Sequence, residues 1–208
     1  MEIKGSVAVI TGGGNGIGEA VAKYFIGQGA KVVIVDMAQA NIDRVVGEIK
    51  AMGGEAIGVQ ANVTSEADTA RFYQSAIEAF GKVNIVVSCA GIIRDGTMLA
   101  IDKETGKVSR KMGLDKWQPV IDTNLTGVWN TIRATVPVLK QQGRGGSIIL
   151  TSSKVVISSW VRKINGRPAR STHSRMCVTP WRTAPAQAGE AENLSSVNPN
   201  TVWNAVTP

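Results

Sequence analysis

A short apolar run, Val7-Ala8-Val9-Ile10, ends in Thr11-Gly12-Gly13-Gly14-Asn15-Gly16-Ile17-Gly18. Little else in the chain restricts its folding as much. An apolar run this short and unbroken suits a strand buried on both faces. The glycines after it form a turn that side chains would obstruct. Ile17, Ala20, Val21, Tyr24 and Phe25 then recur at helical spacing across 16–28, and Gly27 and Gly29 stop that helix. Val32-Val33-Ile34-Val35-Asp36 is a second strand. The chain therefore opens with strand, glycine turn, helix and strand.

The rhythm continues. Ile42, Val45, Val46 and Ile49 mark a second helix, ended by Gly53-Gly54. Ala56-Ile57-Gly58-Val59 reads as a third strand, 66–80 as a third helix and Val83 to Val87 as a fourth strand. A long helix is expected from about Leu114 to Gln141, with Pro119 tolerated in its first turn. Ser147 to Thr151 is a fifth strand. Strands alternating with helices predict an α/β fold, a doubly wound parallel sheet of Rossmann type. The segment Ile92 to Gly113 interrupts the pattern with the turn-like Asp102-Lys103-Glu104-Thr105-Gly106-Lys107. It reads as an excursion over the carboxyl edge of the sheet, either a solvated loop or a wall of a substrate cleft.

The glycine turn has a chemical reading. Gly12 permits the tight turn, Gly16 lets backbone approach a pyrophosphate, and Gly18 lets the helix pack close to the strand. Asn15 and Ile17 stand between these glycines. Unpaired amides and the positive end of the helix dipole then face the phosphates. Asp36 closes the second strand twenty residues after Gly16. A carboxylate there accepts hydrogen bonds from adenosine ribose hydroxyls and repels a 2′-phosphate. No arginine stands at Asn15 or Met37 to offset it. The expected cofactor is NAD rather than NADP.

Charge and composition separate the rest of the chain. The net charge is +7, yet residues 155–208 hold six of the 23 basic and two of the 16 acidic residues. They also hold Trp160, Trp181, Trp203 and the only histidine, His173. Two domain segments are expected: a dinucleotide-binding part, 1–154, and an aberrant C-terminal part of the same domain, 155–208, open to disorder. The basic and aromatic residues of the tail lack any period that would present them to nucleic acid, so no nucleic-acid partner is expected. No stretch is apolar enough for a membrane span, so no membrane partner is expected. The start shows no signal peptide, and Cys89 and Cys177 make neither a disulfide framework nor a metal set, so the expected setting is cytoplasmic. Cys89 follows a buried strand and reads as a small packed residue.

The spacing Thr-Gly-x-x-x-Gly-x-Gly resembles the short-chain dehydrogenase/reductase family. Asn62-Val63 after the third strand is similar to the family's Asp-Val pair, which contacts adenine. Ser88-Cys89-Ala90-Gly91 resembles its Asn-Asn-Ala-Gly turn, with both asparagines replaced and the turn expected to be less well held. Asn124-Leu125-Thr126-Gly127 resembles the Asn-x-x-Gly segment whose asparagine anchors a proton-relay water. Ile148 to Ser153 resembles the strand that ends in the catalytic serine, Ser153 here. The polar segment before the long helix resembles members of the 3-oxoacyl-carrier-protein reductase-like ketoreductase group. The resemblance implies hydride transfer between nicotinamide and a secondary alcohol or ketone, a small-molecule substrate, and a homo-oligomer. It implies Ser153 and Asn124 as catalytic residues. Gly12, Asn15, Gly16, Ile17, Gly18, Asp36, Asn62, Val63, Ala90 and Gly91 are implied as cofactor-binding residues.

One part of that pattern is missing. The family uses a tyrosine as general acid/base, with a lysine four residues later lowering its pKa. The tyrosines here are Tyr24 and Tyr73, with Gln28 and Ile77 at the lysine positions. Family spacing places the pair at Gly166 and Arg170. No strand–helix pattern is visible from Val155 to about Asn193, and then Ser196 to Val202 resembles the family's Asn-x-Val-x-Pro-Gly segment. Three readings compete. The chain is an NAD(H)-dependent oxidoreductase by descent with impaired catalysis, a non-catalytic NAD-binding protein, or a damaged product whose residues 155–193 were read out of frame. The sheet is expected to be incomplete at its C-terminus.

Overall fold

The computed structural model describes residues 2–94, 96–143, 145–152 and 178–181. Its main sheet contains β1 (Val7–Thr11), β2 (Lys31–Asp36), β3 (Ala56–Gln60), β4 (Ile85–Ser88), β7 (Gly146–Leu150) and β8 (Val178–Trp181), in the order β3-β2-β1-β4-β7-β8. The first five strands in that order are parallel. β8 runs antiparallel to β7, with Gly146 opposite Trp181. No strand is legible at 178–181 in the sequence, because four residues with a proline among them carry no usable period. The remaining elements are α1 (Gly16–Gly27), α2 (Gln39–Ala51), α3 (Glu66–Phe80), β5 (Leu99–Ile101), β6 (Val108–Lys111), α4 (Leu114–Ile121) and α5 (Gly127–Gln141).

Each central strand has apolar side chains on both faces, and successive residues point to opposite sides. Ala8 and Ile10 of β1 join Val32 and Ile34 of β2 beneath Ala22 and Phe25 of α1 and Ile42, Val45 and Ile49 of α2. Val7, Val9, Val33 and Val35 face the other way, against Phe72, Tyr73 and Ala76 of α3. Val7 through Ile10 are wholly buried. This two-sided burial is the doubly wound arrangement expected from the sequence.

Two expectations change. The long helix is not continuous. α4 and α5 are joined by a π-helical turn, Asp122–Thr126. Pro119 lies well past the first turn, and Pro137 lies inside α5. A proline inside a helix removes a donor and crowds the preceding turn, and widened turns of this kind let a helix continue past a local mismatch. The excursion before α4 has its own structure, an antiparallel ribbon of β5 and β6. Its turn is organised by Asp102, whose Oδ1 accepts from the amides of Glu104 and Thr105 and from the Thr105 hydroxyl. Ile101 and Val108 on the ribbon are 61% and 50% exposed.

Among the described residues, Phe72 is the largest fully buried side chain. Replacing it with alanine should cost about 3–5 kcal/mol, read as a fall in the urea midpoint with the same slope. An unchanged midpoint would contradict the placement of α3 against the sheet.

Candidate active site

Parallel pairing brings the carboxyl ends of β1, β2, β3, β4 and β7 to one edge. The loops that follow them carry nearly all the residues singled out by sequence. The glycine turn follows β1. Gly12 has φ +67, and a Cβ there would lie 2.8 Å from the Ala90 backbone. At Gly18 a Cβ would overlap the Gly12 carbonyl oxygen. The first turn of α1 is thus pressed directly onto the end of β1. Gly13, Gly14 and Gly18 are buried, whereas Asn15, Gly16 and Ile17 form an exposed lip. The Asn15 side chain caps α1 by accepting from the Gly16 amide at 2.8 Å. The following first-turn amides have no intrahelical acceptor, as at any helix start.

Asp36, at the end of β2, faces this turn. Its Oδ2 accepts from the Gly14 amide at 3.1 Å and its Oδ1 from the Ala38 amide at 3.1 Å. Each oxygen retains a lone pair for another donor. A hollow of about 240 Å³ opens beside it, lined by Met37, Gln60, Ala61, Asn62, Asp68 and Arg71. The Asn62 amide donates to Asp68 Oδ2 at 2.8 Å, and the Asn62 Oδ1 accepts from the Thr64 amide at 3.0 Å. The Asn62 amide, together with the Arg71 guanidinium, holds the Asp68 carboxyl below its usual range. Val63 is buried, and its carbonyl accepts from the Asn130 side chain at 3.1 Å. Asn130 is buried on α5. Sequence reasoning missed it, because a lone asparagine on a helix carries no signal until its partner 67 residues away is known.

The turn after β4 is better held than the loss of two asparagines suggested. The Cys89 amide donates to the Thr11 carbonyl at 3.1 Å, and the Ala90 amide to Thr11 Oγ1 at 3.3 Å. Asn124 grips the next residue with both ends of its side-chain amide. Its Oδ1 accepts from the Ile92 amide at 2.8 Å, and its Nδ2 donates to the Ile92 carbonyl at 2.9 Å. Gly91 lies against the same side chain. The side chain of Asn124 is therefore spent on this loop, and the π-helical turn carries it to the carboxyl edge. Burial pushes the Cys89 thiol above its usual range, against reactivity.

Neither tyrosine stands at this edge with a lysine partner. Tyr73 is buried in the α3 side of the core, with its hydroxyl on Thr135 and on the Thr131 carbonyl. Burial pushes its phenol far above the ordinary value. Tyr24 is 60% exposed on α1. β7 ends at Leu150, and Thr151 follows with its hydroxyl on the Ser88 carbonyl at 2.6 Å. Ser153, Gly166, Arg170, His173 and the segment Ser196 to Val202 lie outside the described residues. Among the described residues no cluster of histidine, cysteine and carboxylate side chains could hold a metal ion. Nor is any helix among them long and apolar enough to cross a membrane.

Beneath the glycine turn, Glu19 of α1 bonds Lys23 at 2.6 Å and Arg44 of α2 at 2.7 Å. These two cations, Arg44 foremost, hold the Glu19 carboxyl at about 2. Unfolded, it titrates near its ordinary 4.5. Its share of stability is complete above pH 4.5 and is lost as the pH falls toward 2. The melting temperature should therefore fall more steeply across that window in the unchanged protein than in Glu19→Gln. Parallel curves would contradict the ion pairing. Gly18→Ala should destabilise the fold by about 1–3 kcal/mol through backbone overlap, measured by thermal unfolding.

Comparison with known proteins agrees with this architecture. The family model for short chain dehydrogenase matches residues 6–164, which runs past the composition break at 154. The chain is 38% identical over 156 residues to a 3-hydroxyacyl-CoA dehydrogenase type-2 from Rattus norvegicus, covering 73% of this chain and 57% of that protein. It is 36% identical over 170 residues to a 3-oxoacyl-[acyl-carrier-protein] reductase from Synechocystis, covering 81% and 61% respectively. A short chain dehydrogenase/reductase from Burkholderia phymatum, solved in complex with NAD, superposes with a TM-score of 0.61 at 30% identity, covering 74% of this chain and 50% of that one. The chain thus spans little more than half the length of these relatives. Over the part they share, glycine turn, strand order and sequence agree, and the chain belongs to the short chain dehydrogenase family.

Proposed function

We propose that the chain is the NAD-binding part of an oxidoreductase acting on a secondary alcohol or ketone. The observation that carries the reading is the Asp36 carboxylate. It is fixed by two backbone amides at the lip of a glycine turn whose helix start is exposed. NAD, when bound, supplies or accepts the hydride at its nicotinamide ring. The residues present fit it. Gly12, Gly16 and Gly18 leave the turn free of side chains, and Gly16 has open space where a Cβ would stand. The amides near Asn15, Ile17 and Gly18 would meet the pyrophosphate. Asp36 would accept from the ribose hydroxyls. Asn62 borders the hollow that would take the adenine, with Val63 buried beside it, and Ala90 and Gly91 would border the cofactor from the β4 side. Ser153 would hold the substrate oxygen, with Asn124 fixing the neighbouring loop. Two of the relatives bear the names of a 3-hydroxyacyl-CoA dehydrogenase and a 3-oxoacyl-[acyl-carrier-protein] reductase, which supports a hydroxyacyl or oxoacyl substrate.

The wider assignment belongs to the same proposal. The division at 154 separates the cofactor part from the tail. The setting is cytoplasmic, with neither nucleic acid nor membrane as partner. Leu114, Trp117, Leu125 and Trp129, exposed along α4, the π-helical turn and α5, support a homo-oligomer.

A second reading is favoured by a specific observation. The 208 residues contain no tyrosine with a lysine four residues on, and Tyr73 is locked in the core. Without that pair, an alcohol must lose its proton with no positioned base, which costs about a hundredfold to ten-thousandfold in rate. The chain then binds NAD and turns over slowly or not at all.

Calorimetric titration separates these cases. NAD+ should bind at least about tenfold more tightly than NADP+, and Asp36→Ala should lose most of that preference. Saturating NAD+ at about a hundred times Kd should add about 2.7 kcal/mol of stability. Turnover on a panel of secondary alcohols alongside that binding supports the enzyme, and binding without turnover supports the non-catalytic reading. Absence of NAD+ binding contradicts both.

A further inference from the structure

Arg44 reaches from α2 to the glycine turn. Its Nη2 donates to the Gly14 carbonyl at 3.1 Å and to Glu19 Oε2 at 2.7 Å. Its Nη1 donates to Glu19 Oε1 at 3.1 Å and to Glu48 Oε1 at 3.0 Å. Lys23 closes the ring, donating to Glu19 Oε1 and to Glu48 Oε2 at 2.6 Å each. Two acids and two bases thus tie α1 to α2. Only one of the two bases touches the turn.

Gly14 is gripped from both sides. Its amide donates to Asp36 Oδ2 at 3.1 Å, and its carbonyl accepts from Arg44. Gly14 is buried, and Asn15, Gly16 and Ile17 follow it as the exposed lip. The orientation of the Gly14 carbonyl fixes the peptide that leads into that lip. Glycine offers no side-chain packing to do this instead, and its backbone is the most permissive of any residue.

We infer that Arg44 is a positioning residue for the dinucleotide site. From α2 it fixes the Gly14 carbonyl, and with it the direction of the helix-start amides. Glu19 and Glu48 hold its guanidinium in place. The inference rests on the NAD reading above. Arg44 touches no cofactor atom itself; it acts through the Gly14 peptide.

Lys23 supplies the control. Lys23→Met and Arg44→Met each remove one positive charge from the same ring, but only the second releases Gly14. Both variants should lose a similar amount of thermal stability. In the full chain, Arg44→Met should raise the calorimetric Kd for NAD+ by about tenfold or more, and Lys23→Met should stay within about twofold. Arg44→Lys should recover less than half of that loss on a logarithmic scale. A single ammonium cannot hold the Gly14 carbonyl and both Glu19 oxygens in one fork. Equal Kd values for Arg44→Met and Lys23→Met overturn the inference while the NAD reading stands. An unchanged protein that binds no NAD+ overturns both.

Discussion

The first turn of α1 lies on the end of β1 with no side chain between them. A Cβ at Gly18 would overlap the Gly12 carbonyl, and a Cβ at Gly12 would strike the backbone of Ala90. This backbone-to-backbone contact sets the height of α1 over the sheet. It fixes where the helix start opens at the carboxyl edge, how near Asp36 comes to Gly14, and how far Arg44 must reach. The buried valines and isoleucines supply most of the stability. The contact at Gly18 decides what shape that stability supports.

Much of this was legible in the sequence for a physical reason. Strands buried on both faces read as unbroken apolar runs, so β1, β2 and β4 stand out. Asp36 was legible from its place at the end of the second strand, whereas Asn62 and Ala90 stood out through the family resemblance; the parallel pairing brings the loops that hold them to one edge. What was not legible depends on long-range partners. Thr11 and Asn124 restore the turn after β4, though the two asparagines expected there are serine and cysteine. Arg44 meets Gly14 across 30 residues of chain and Asn130 meets Val63 across 67, and neither pairing leaves a local pattern. The π-helical turn before α5 was hidden because its residues keep helical spacing on either side.

The described residues speak more fully for binding than for chemistry. The edge proposed to take the cofactor is built with redundancy: glycine turn, capped helix, fixed carboxylate and an ion ring behind them. Among the described residues, Tyr73 is structural and Tyr24 stands apart on α1, so neither tyrosine serves proton transfer at this edge. A fold can separate the two, because the parallel sheet delivers the binding loops from its first four strands. The serine that the family resemblance implies as catalytic, Ser153, follows a later one. Membership of the short chain dehydrogenase family therefore speaks most directly for the binding half.

Hydrogen–deuterium exchange of the full chain, with and without NAD+, tests that claim most directly. The account predicts new protection confined to the amides of 14–18, 36–38, 62–64 and 90–92, with little from NADP+ at the same concentration. Unchanged exchange in the glycine turn, or equal protection by NADP+, would contradict it.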